Sequence, residues 1–186
     1  MEEQKWINRV IRYVANMSVG PSTLRRQVEK GGVANARQFL IDEIDLQQVG
    51  SLQAEAAFQG YLDKKTKQLA NILRRPDNNA PNWGAARKVI NIYLIQSSLN
   101  RHLYQYFNLH NIESFMEVPL DSFAFKYIIS KSDSLDVGTP FRIINLTSED
   151  SKKIQSAAAK IAKNKSIKRY ELDIISWRNP TDINKQ

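Results

Sequence analysis

Lys88 and Asp121 are the residues of this chain whose types and positions could do chemistry at the sugar of a nucleotide. Lys88 precedes the run Val-Ile-Asn-Ile-Tyr-Leu-Ile at residues 89–95, which predicts a helix buried on most sides. Burial and the positive end of a helix dipole both disfavour a charged ammonium. A lysine that loses its proton easily can attack an anomeric carbon and form a Schiff base. The plainer interpretation is a surface lysine reaching solvent from a core helix, and this helix alone favours it.

Asp121 follows Pro119 at the start of another expected helix. Its plainest role is an N-cap, one of the commonest uses of aspartate, and the residue alone favours that role. A carboxylate aimed into a cleft could instead accept a proton and stabilise a developing oxocarbenium ion. Both roles therefore stay open for Asp121.

Small residues lead into the lysine helix, where residues 82–86 read Asn-Trp-Gly-Ala-Ala. Exposed backbone amides of Gly84, Ala85 and Ala86 at a helix N-terminus could bind a DNA phosphate. Arg87 could add a charge-assisted contact to the same phosphate. The alternative is an ordinary, closely packed turn between two helices.

Asp173 and Trp177 are four residues apart, which places them on one face of a helix. Together they could hold an extruded base, with Trp177 stacking on its face and Asp173 accepting a hydrogen bond from its edge. The more common arrangement is a tryptophan that anchors a terminal helix beside a solvated aspartate. Ser22, Thr23 and Gln27 are further candidates for polar contacts with a base.

Composition indicates one domain with a polyanionic partner. The chain has 186 residues, 42% of them hydrophobic, and a net charge of +8, and excess cations favour nucleic acid because phosphate contacts release counterions. The absence of cysteine excludes disulfides, thiolate zinc sites, iron–sulfur clusters and a cysteine nucleophile. Residues 89–95 are too short to span a bilayer and no secretory segment opens the chain, so we expect a cytoplasmic protein without a membrane partner.

Helical periodicity dominates the chain and predicts an all-α fold. Thr147 and Asp150 resemble a capping box, and residues 130–145 should be the least regular segment, with part of 141–145 extended. The last helix should end at Pro180. The expected helices cover, approximately, residues 6–20, 19–30, 34–44, 57–73, 83–107, 119–129, 147–163 and 170–177.

The order of these pieces resembles the helix-hairpin-helix DNA glycosylase superfamily. The pieces are the hairpin, Arg87-Lys88, Asn91, the Pro-Leu-Asp at 119–121 and the Leu-Asp-Ile-Ile-Ser-Trp at 172–177. Within that superfamily, the chain resembles the archaeal 8-oxoguanine DNA glycosylases and bacterial proteins of the 8-oxoguanine glycosylase fold. The resemblance covers roughly residues 80–178.

The resemblance implies a fold of two helical lobes with a helix-hairpin-helix motif and a cleft between the lobes. The whole chain, 1–186, would be a single glycosylase-like domain, with an N-terminal lobe at about 1–75 and a catalytic lobe at about 76–180. The implied partner is double-stranded DNA with a damaged or modified base, bound by a monomer without a cofactor or metal.

The resemblance also implies roles for residues. Lys88 would be the catalytic lysine that displaces the base and permits β-elimination, and Asp121 would be the essential aspartate. Asp173, Trp177 and Ile92 would belong to the base pocket. The amides of residues 84–86, with Arg87, would hold the DNA backbone.

The sequence departs from that pattern at three positions. Ala86 replaces the second glycine of the hairpin, and Phe123 lies where related enzymes have a histidine. Ile92 lies where the archaeal enzymes use an aromatic ring to sandwich the base. The resemblance therefore does not specify which base the protein would recognise.

Three hypotheses follow. The first is a DNA glycosylase with lyase activity that flips a base and cleaves its N-glycosidic bond. The second is an enzyme of the same fold acting on hypermodified bases of phage DNA, in defence or in base modification, since Ile92 suits a pocket reshaped for a bulky base. The third is a non-catalytic DNA-binding module.

Overall fold

The described part of the chain is helical throughout. A computed structural model describes residues 2–132, 135–137 and 141–177, which contain no β-strand, and the predicted all-α class is confirmed. The α-helices in these residues are α1 (Glu2–Ser18), α2 (Gly32–Glu43), α3 (Leu46–Ser51), α4 (Glu55–Ile72), α5 (Trp83–Leu99), α6 (Arg101–Tyr106), α7 (Ser122–Ser130), α8 (Ser148–Asn164) and α9 (Leu172–Ser176). The two-lobed arrangement and the helix-hairpin-helix assignment stay predictions.

Helix α5 is the central element of the larger apolar cluster. It packs against α1, α2 and α4, and most of its residues are buried, as the apolar run at 89–95 predicts. A second apolar cluster is built from α7, α8 and the residues that flank them. The Trp83 side chain at the start of α5 packs against both clusters, so the first turn of α5 joins them.

The connection from α1 to α2 is not the helix that residues 19–30 predict. Its backbone hydrogen bonds span three residues, from Thr23 to Gly20 and from Gln27 to Leu24, which makes a series of turns. Arg26 has a left-handed φ of 58°, which interrupts a right-handed helix. We call residues 19–31 the α1–α2 loop.

The predicted helix at 83–107 is two helices. Asn100 has extended backbone, with φ −85° and ψ 112°, and its side chain accepts hydrogen bonds from the amides of His102 and Leu103. Asn100 therefore ends α5 and caps α6, because its short amide side chain offers the backbone an alternative to the helical bond. The short helix α3 was also not predicted from the sequence.

Three smaller predictions had different outcomes. Residues Ile143–Asn145 form one turn of 3₁₀ helix and not an extended strand. Thr147 caps α8 by accepting from the amide of Asp150, which confirms the cap, although the Asp150 carboxylate bonds the Thr147 hydroxyl and not its amide. Pro180 lies outside the described residues. No helix among the described residues is both long and apolar enough to cross a membrane.

Candidate active site

One cavity collects most of the residues that the sequence singles out. It measures about 670 Å³, and Lys88, Ile92, Asp121, Asp173 and Trp177 all line it. Its walls come from separate parts of the chain, namely the end of α1 with the α1–α2 loop, α5, residues 119–123, residues 141–144 and the last helix. The volume lies within the range of about 300–1,000 Å³ that is typical of ligand sites.

Helix α5 contributes one face to this cavity. Lys88, Ile92 and Gln96 are spaced by four residues and therefore project from the same side of the helix. The Lys88 ammonium is half-buried, and its Nζ donates to the backbone oxygen of Thr23 in the α1–α2 loop at 3.4 Å. Lys88 therefore contacts the α1–α2 loop and is only partly exposed.

Asp121 is the N-cap of α7 and also a wall of the cavity. Its Oδ1 accepts hydrogen bonds from the amides of Phe123 and Ala124, each at 2.9 Å. Oδ2 has no hydrogen-bond partner among the described residues. One oxygen of Asp121 thus holds the helix, while the second is available to a bound molecule.

The segment that leads to Asp121 is held from two sides. Gln155 on α8 makes two hydrogen bonds with the backbone of Val118, accepting at 3.2 Å and donating at 2.7 Å. Arg169 donates to the backbone oxygens of Phe115 and Met116. These bonds replace the secondary structure that this stretch lacks, so the position of Asp121 is fixed by side chains.

Charges within the cavity act on one another. Burial lowers the pKa of Lys88 below its ordinary value, and the Asp121 and Asp173 carboxylates oppose that shift. Burial also raises the pKa of Asp173 to about 6, an effect that Asp121 increases and Lys88 reduces. The cavity thus holds a lysine whose pKa is lowered and an aspartate whose pKa is raised, and shifts of this kind are typical of groups that transfer protons.

Asp173 and Trp177 line the cavity at the end of the described chain. Asp173 is partly buried, whereas Trp177 is exposed, with its amide bonded to the Asp173 oxygen at 3.0 Å. Phe123 is also exposed at the cavity. The rim of the cavity therefore offers aromatic surface on which a planar ring could stack.

The expected contact between Arg87 and DNA is wrong. The Arg87 side chain is only 4% exposed, and its guanidinium donates to Glu117, Asp63, Thr66 and Gln59 at 2.8–3.1 Å. All of its nitrogens are occupied in the interior. Arg87 therefore cannot reach a phosphate in this structure.

The expected backbone contacts of Gly84, Ala85 and Ala86 are not supported either, because all three residues are buried. The amides of Ala85 and Ala86 already donate to the side chain and backbone oxygens of Asn82. A Cβ on Gly84 would lie 2.0 Å from the backbone oxygen of Ile143. The small residues serve close packing, which is the alternative that the sequence left open.

Three arginines at the cavity were missed at the sequence level. Arg25 and Arg26 of the α1–α2 loop and Arg142 are exposed residues that line it. The sequence pointed to Ser22, Thr23 and Gln27 of the same loop as candidates for contacts with a base, but the arginine pair between them was given no role. With these three, the mouth of the cavity is suited to phosphate groups.

No cluster of three or more His, Asp or Glu side chains that could hold a metal ion occurs in the part of the chain that the structure describes. Comparisons with protein-family models, with curated proteins and with solved structures found no match for this chain.

Proposed function

We propose that the protein is a DNA glycosylase with AP lyase activity, which flips a damaged or modified base into the cavity and cleaves its N-glycosidic bond. The observation that carries the proposal is the convergence of Lys88, Asp121, Asp173 and Trp177 on one cavity. Each residue alone has an ordinary structural role, but those roles do not explain why all four residues line the same cavity.

In the proposed reaction, neutral Lys88 attacks the anomeric carbon with its Nζ while the bond from that carbon to the base breaks. Asp121 stabilises the positive charge that develops on the sugar and takes up the proton that Lys88 releases. The departing base leaves with the bonding electron pair and takes up the proton that Asp121 received from Lys88. Ring opening gives a Schiff base on Lys88, from which β-elimination expels the 3′ phosphate.

The base would lie between the α5 face and the last helix. Ile92 packs against it, Trp177 stacks at the rim, and Asp173 bonds its edge. The flanking phosphates would meet Arg25, Arg26 and Arg142 rather than Arg87. Double-stranded DNA is thus the proposed partner, bound by a monomer in the cytoplasm.

Borohydride trapping tests the proposal. Wild-type protein incubated with duplex DNA that contains an abasic site should give a covalent adduct, and Lys88→Ala should give none. Lys67→Ala is the matched control, because Lys67 is an exposed lysine on α4 that does not line the cavity. No adduct and no base release from the wild type over a panel of lesions would exclude the enzyme.

The second candidate is an enzyme of the same fold that acts on hypermodified phage DNA. The cavity is larger than a bare base requires, and its polar lining includes Ser22, Thr23, Gln27 and Gln96, which could bond a polar substituent. Restriction of a phage with modified DNA, lost with Lys88→Ala, would favour this substrate. Binding without any turnover would instead favour a non-catalytic module.

A further inference from the structure

The outer face of α1 carries large apolar side chains that are exposed to solvent. Trp6, Arg9, Tyr13 and Met17 are spaced by three and four residues and form one stripe along the helix. Trp6, Tyr13 and Met17 are 50%, 62% and 64% exposed, while the opposite face of α1 packs into the core. We call these four residues the α1 stripe.

Cations accompany the aromatic residues of the α1 stripe. Lys5, Arg9 and Arg12 are exposed, and neither Arg9 nor Arg12 makes a side-chain hydrogen bond or ion pair with any residue that the structure describes. The acidic residues of α1 are confined to its first turn. The face is therefore positively charged along most of its length, and a polyanion complements it.

The α1 stripe leads directly to the cavity. Met17, its last member, is also part of the cavity wall. Trp6 lies roughly 16 Å from Met17 along the axis, at about 1.5 Å per residue. The Trp6 indole packs edge-on against the His102 ring, with centroids 5.8 Å apart, so the far end of the stripe is held in position.

We propose that the α1 stripe binds a single-stranded stretch of DNA, namely an unpaired segment next to the duplex whose flipped base is held in the cavity. Unpaired bases stack on Trp6 and Tyr13, and phosphates pair with Arg9 of the stripe and with Arg12 beside it. Stacking platforms interleaved with cations are how proteins bind single strands without reading their sequence. The link to a flipped base rests on the proposed function, whereas the binding itself does not require Lys88.

A second copy of the chain fits this face less well. Two copies that met through the α1 stripe would bring the arginines of one face against those of the other, and like charges across an interface are repulsive. Single-stranded DNA offers flat apolar rings and negative charge in alternation, which matches both features of the stripe. The surface therefore indicates a nucleic-acid partner.

The test uses a fluorescently labelled thymidine oligonucleotide and measures its affinity by anisotropy. Trp6→Ala and Tyr13→Ala should each weaken binding about tenfold. Leu99→Ala is the matched control, because Leu99 is an apolar side chain, 58% exposed, outside the stripe and the cavity, and it should leave the affinity unchanged. Equal affinities for the wild type and for Tyr13→Ala, whose exposed ring is removed without disturbing the core, would overturn the proposal.

Salt dependence gives a second measurement. Arg9→Gln and Arg12→Gln should each reduce the slope of log affinity against log salt by about 0.7, the value for one phosphate contact on a single strand. Lys67→Gln should leave the slope unchanged. If Lys67→Gln lowers the slope as much as Arg9→Gln does, binding is diffuse and the assigned surface is wrong.

Two measurements separate this inference from the proposed function. Lys88→Ala should bind the oligonucleotide as tightly as the wild type, although it loses the borohydride adduct. If the wild type binds the oligonucleotide through Trp6 but never forms the adduct, the α1 proposal is supported and the glycosylase proposal is overturned. A change of sedimentation coefficient in Tyr13→Ala, with DNA affinity intact, would instead identify a self-association face and overturn the α1 proposal.

Discussion

Arg87 and Glu117 form a bidentate ion pair in the interior of the protein. Nε lies 2.8 Å from Oε2 and Nη2 lies 2.9 Å from Oε1, and Asn91 adds a third hydrogen bond to Glu117 at 3.0 Å. Burial alone would raise the pKa of Glu117, but these bonds hold it below its ordinary value. Because Lys88 follows Arg87 and Asp121 lies four residues after Glu117, the pair fixes the two candidate catalytic segments relative to each other.

Arg87→Met should destabilise the protein by about 3–5 kcal/mol, because it leaves Glu117 as a buried charge without its main partner. Urea unfolding measures the loss. The double variant Arg87→Met with Glu117→Leu should recover much of it, since replacing both members removes the unpaired charge. A loss below about 1 kcal/mol for the single variant would show that the pair does not hold the two segments.

Gly84→Ala should lower stability by about 1–3 kcal/mol, as overpacking of a tight contact does. The new methyl group would lie 2.0 Å from the Ile143 backbone oxygen, so the cavity wall at 143–146 must shift. Gly60→Ala is the matched control, because Gly60 is exposed within α4 and a Cβ there meets nothing within 4 Å. That control should gain about 0.5–1 kcal/mol from helix propensity. Equal effects at the two glycines would contradict the packing role.

Asp121→Asn should abolish borohydride trapping while leaving the melting temperature almost unchanged. Asparagine keeps the oxygen that accepts from Phe123 and Ala124, so α7 stays capped, but the negative charge is lost. Asp121→Ala should lose activity and also about 1 kcal/mol of stability, since the cap is removed as well. Full activity in Asp121→Asn would restrict the residue to its capping role.

Local sequence patterns were sufficient for the start and the burial of α5, though not for its end at Leu99, and for the capping role of Asp121 at the start of α7. An uninterrupted apolar run specifies a buried helix by itself, and an aspartate after proline specifies an N-cap within three residues. Lys88 and Asp121 were therefore placed correctly at the beginnings of their helices. Their meeting at one cavity depends on packing between distant segments, which no local pattern contains.

Arg87 illustrates what local patterns miss. Its partners Glu117 and Asp63 lie 30 and 24 residues away in sequence, so nothing beside Arg87 indicates that its charge is neutralised in the interior. The helix predicted over the α1–α2 loop was wrong for a different reason. Residues 19–30 contain good helix formers, but Arg26 adopts a left-handed conformation that propensity does not predict.

Lys88→Met should abolish borohydride trapping. It should also stabilise the folded protein at pH 7 by about 0.5–2 kcal/mol, as is common when a functional residue that costs stability is replaced. The lowered pKa of Lys88 means that the folded state binds fewer protons than the unfolded state just below pH 10.5. Stability therefore rises with pH there, and the charged lysine is unfavourable at pH 7. Lys67→Met, at an exposed position, should change stability by less than about 0.5 kcal/mol. If Lys88→Met were less stable than the wild type, the favourable contacts of the Lys88 side chain would outweigh the cost of burying its charge.

Asp173→Asn should stabilise the protein at pH 8 and lose that advantage at pH 3.5. The folded pKa of Asp173 is raised from 3.8 to about 6, so the folded state binds more protons between those values. Stability falls as pH rises through that window, and the full deficit is present above pH 6.

The deficit should be about 1–3 kcal/mol, since each pKa unit corresponds to about 1.4 kcal/mol and hydration at the open cavity reduces the effect. Melting temperatures of the wild type and Asp173→Asn between pH 3.5 and 8 measure it. Asp77→Asn, in an exposed turn, should follow the wild type throughout. A constant offset between wild type and Asp173→Asn across the whole range would show a packing effect. Only a difference that grows between about pH 4 and 6 reports the ionisation of Asp173, whose pKa is raised mainly by burial and further by the Asp121 carboxylate.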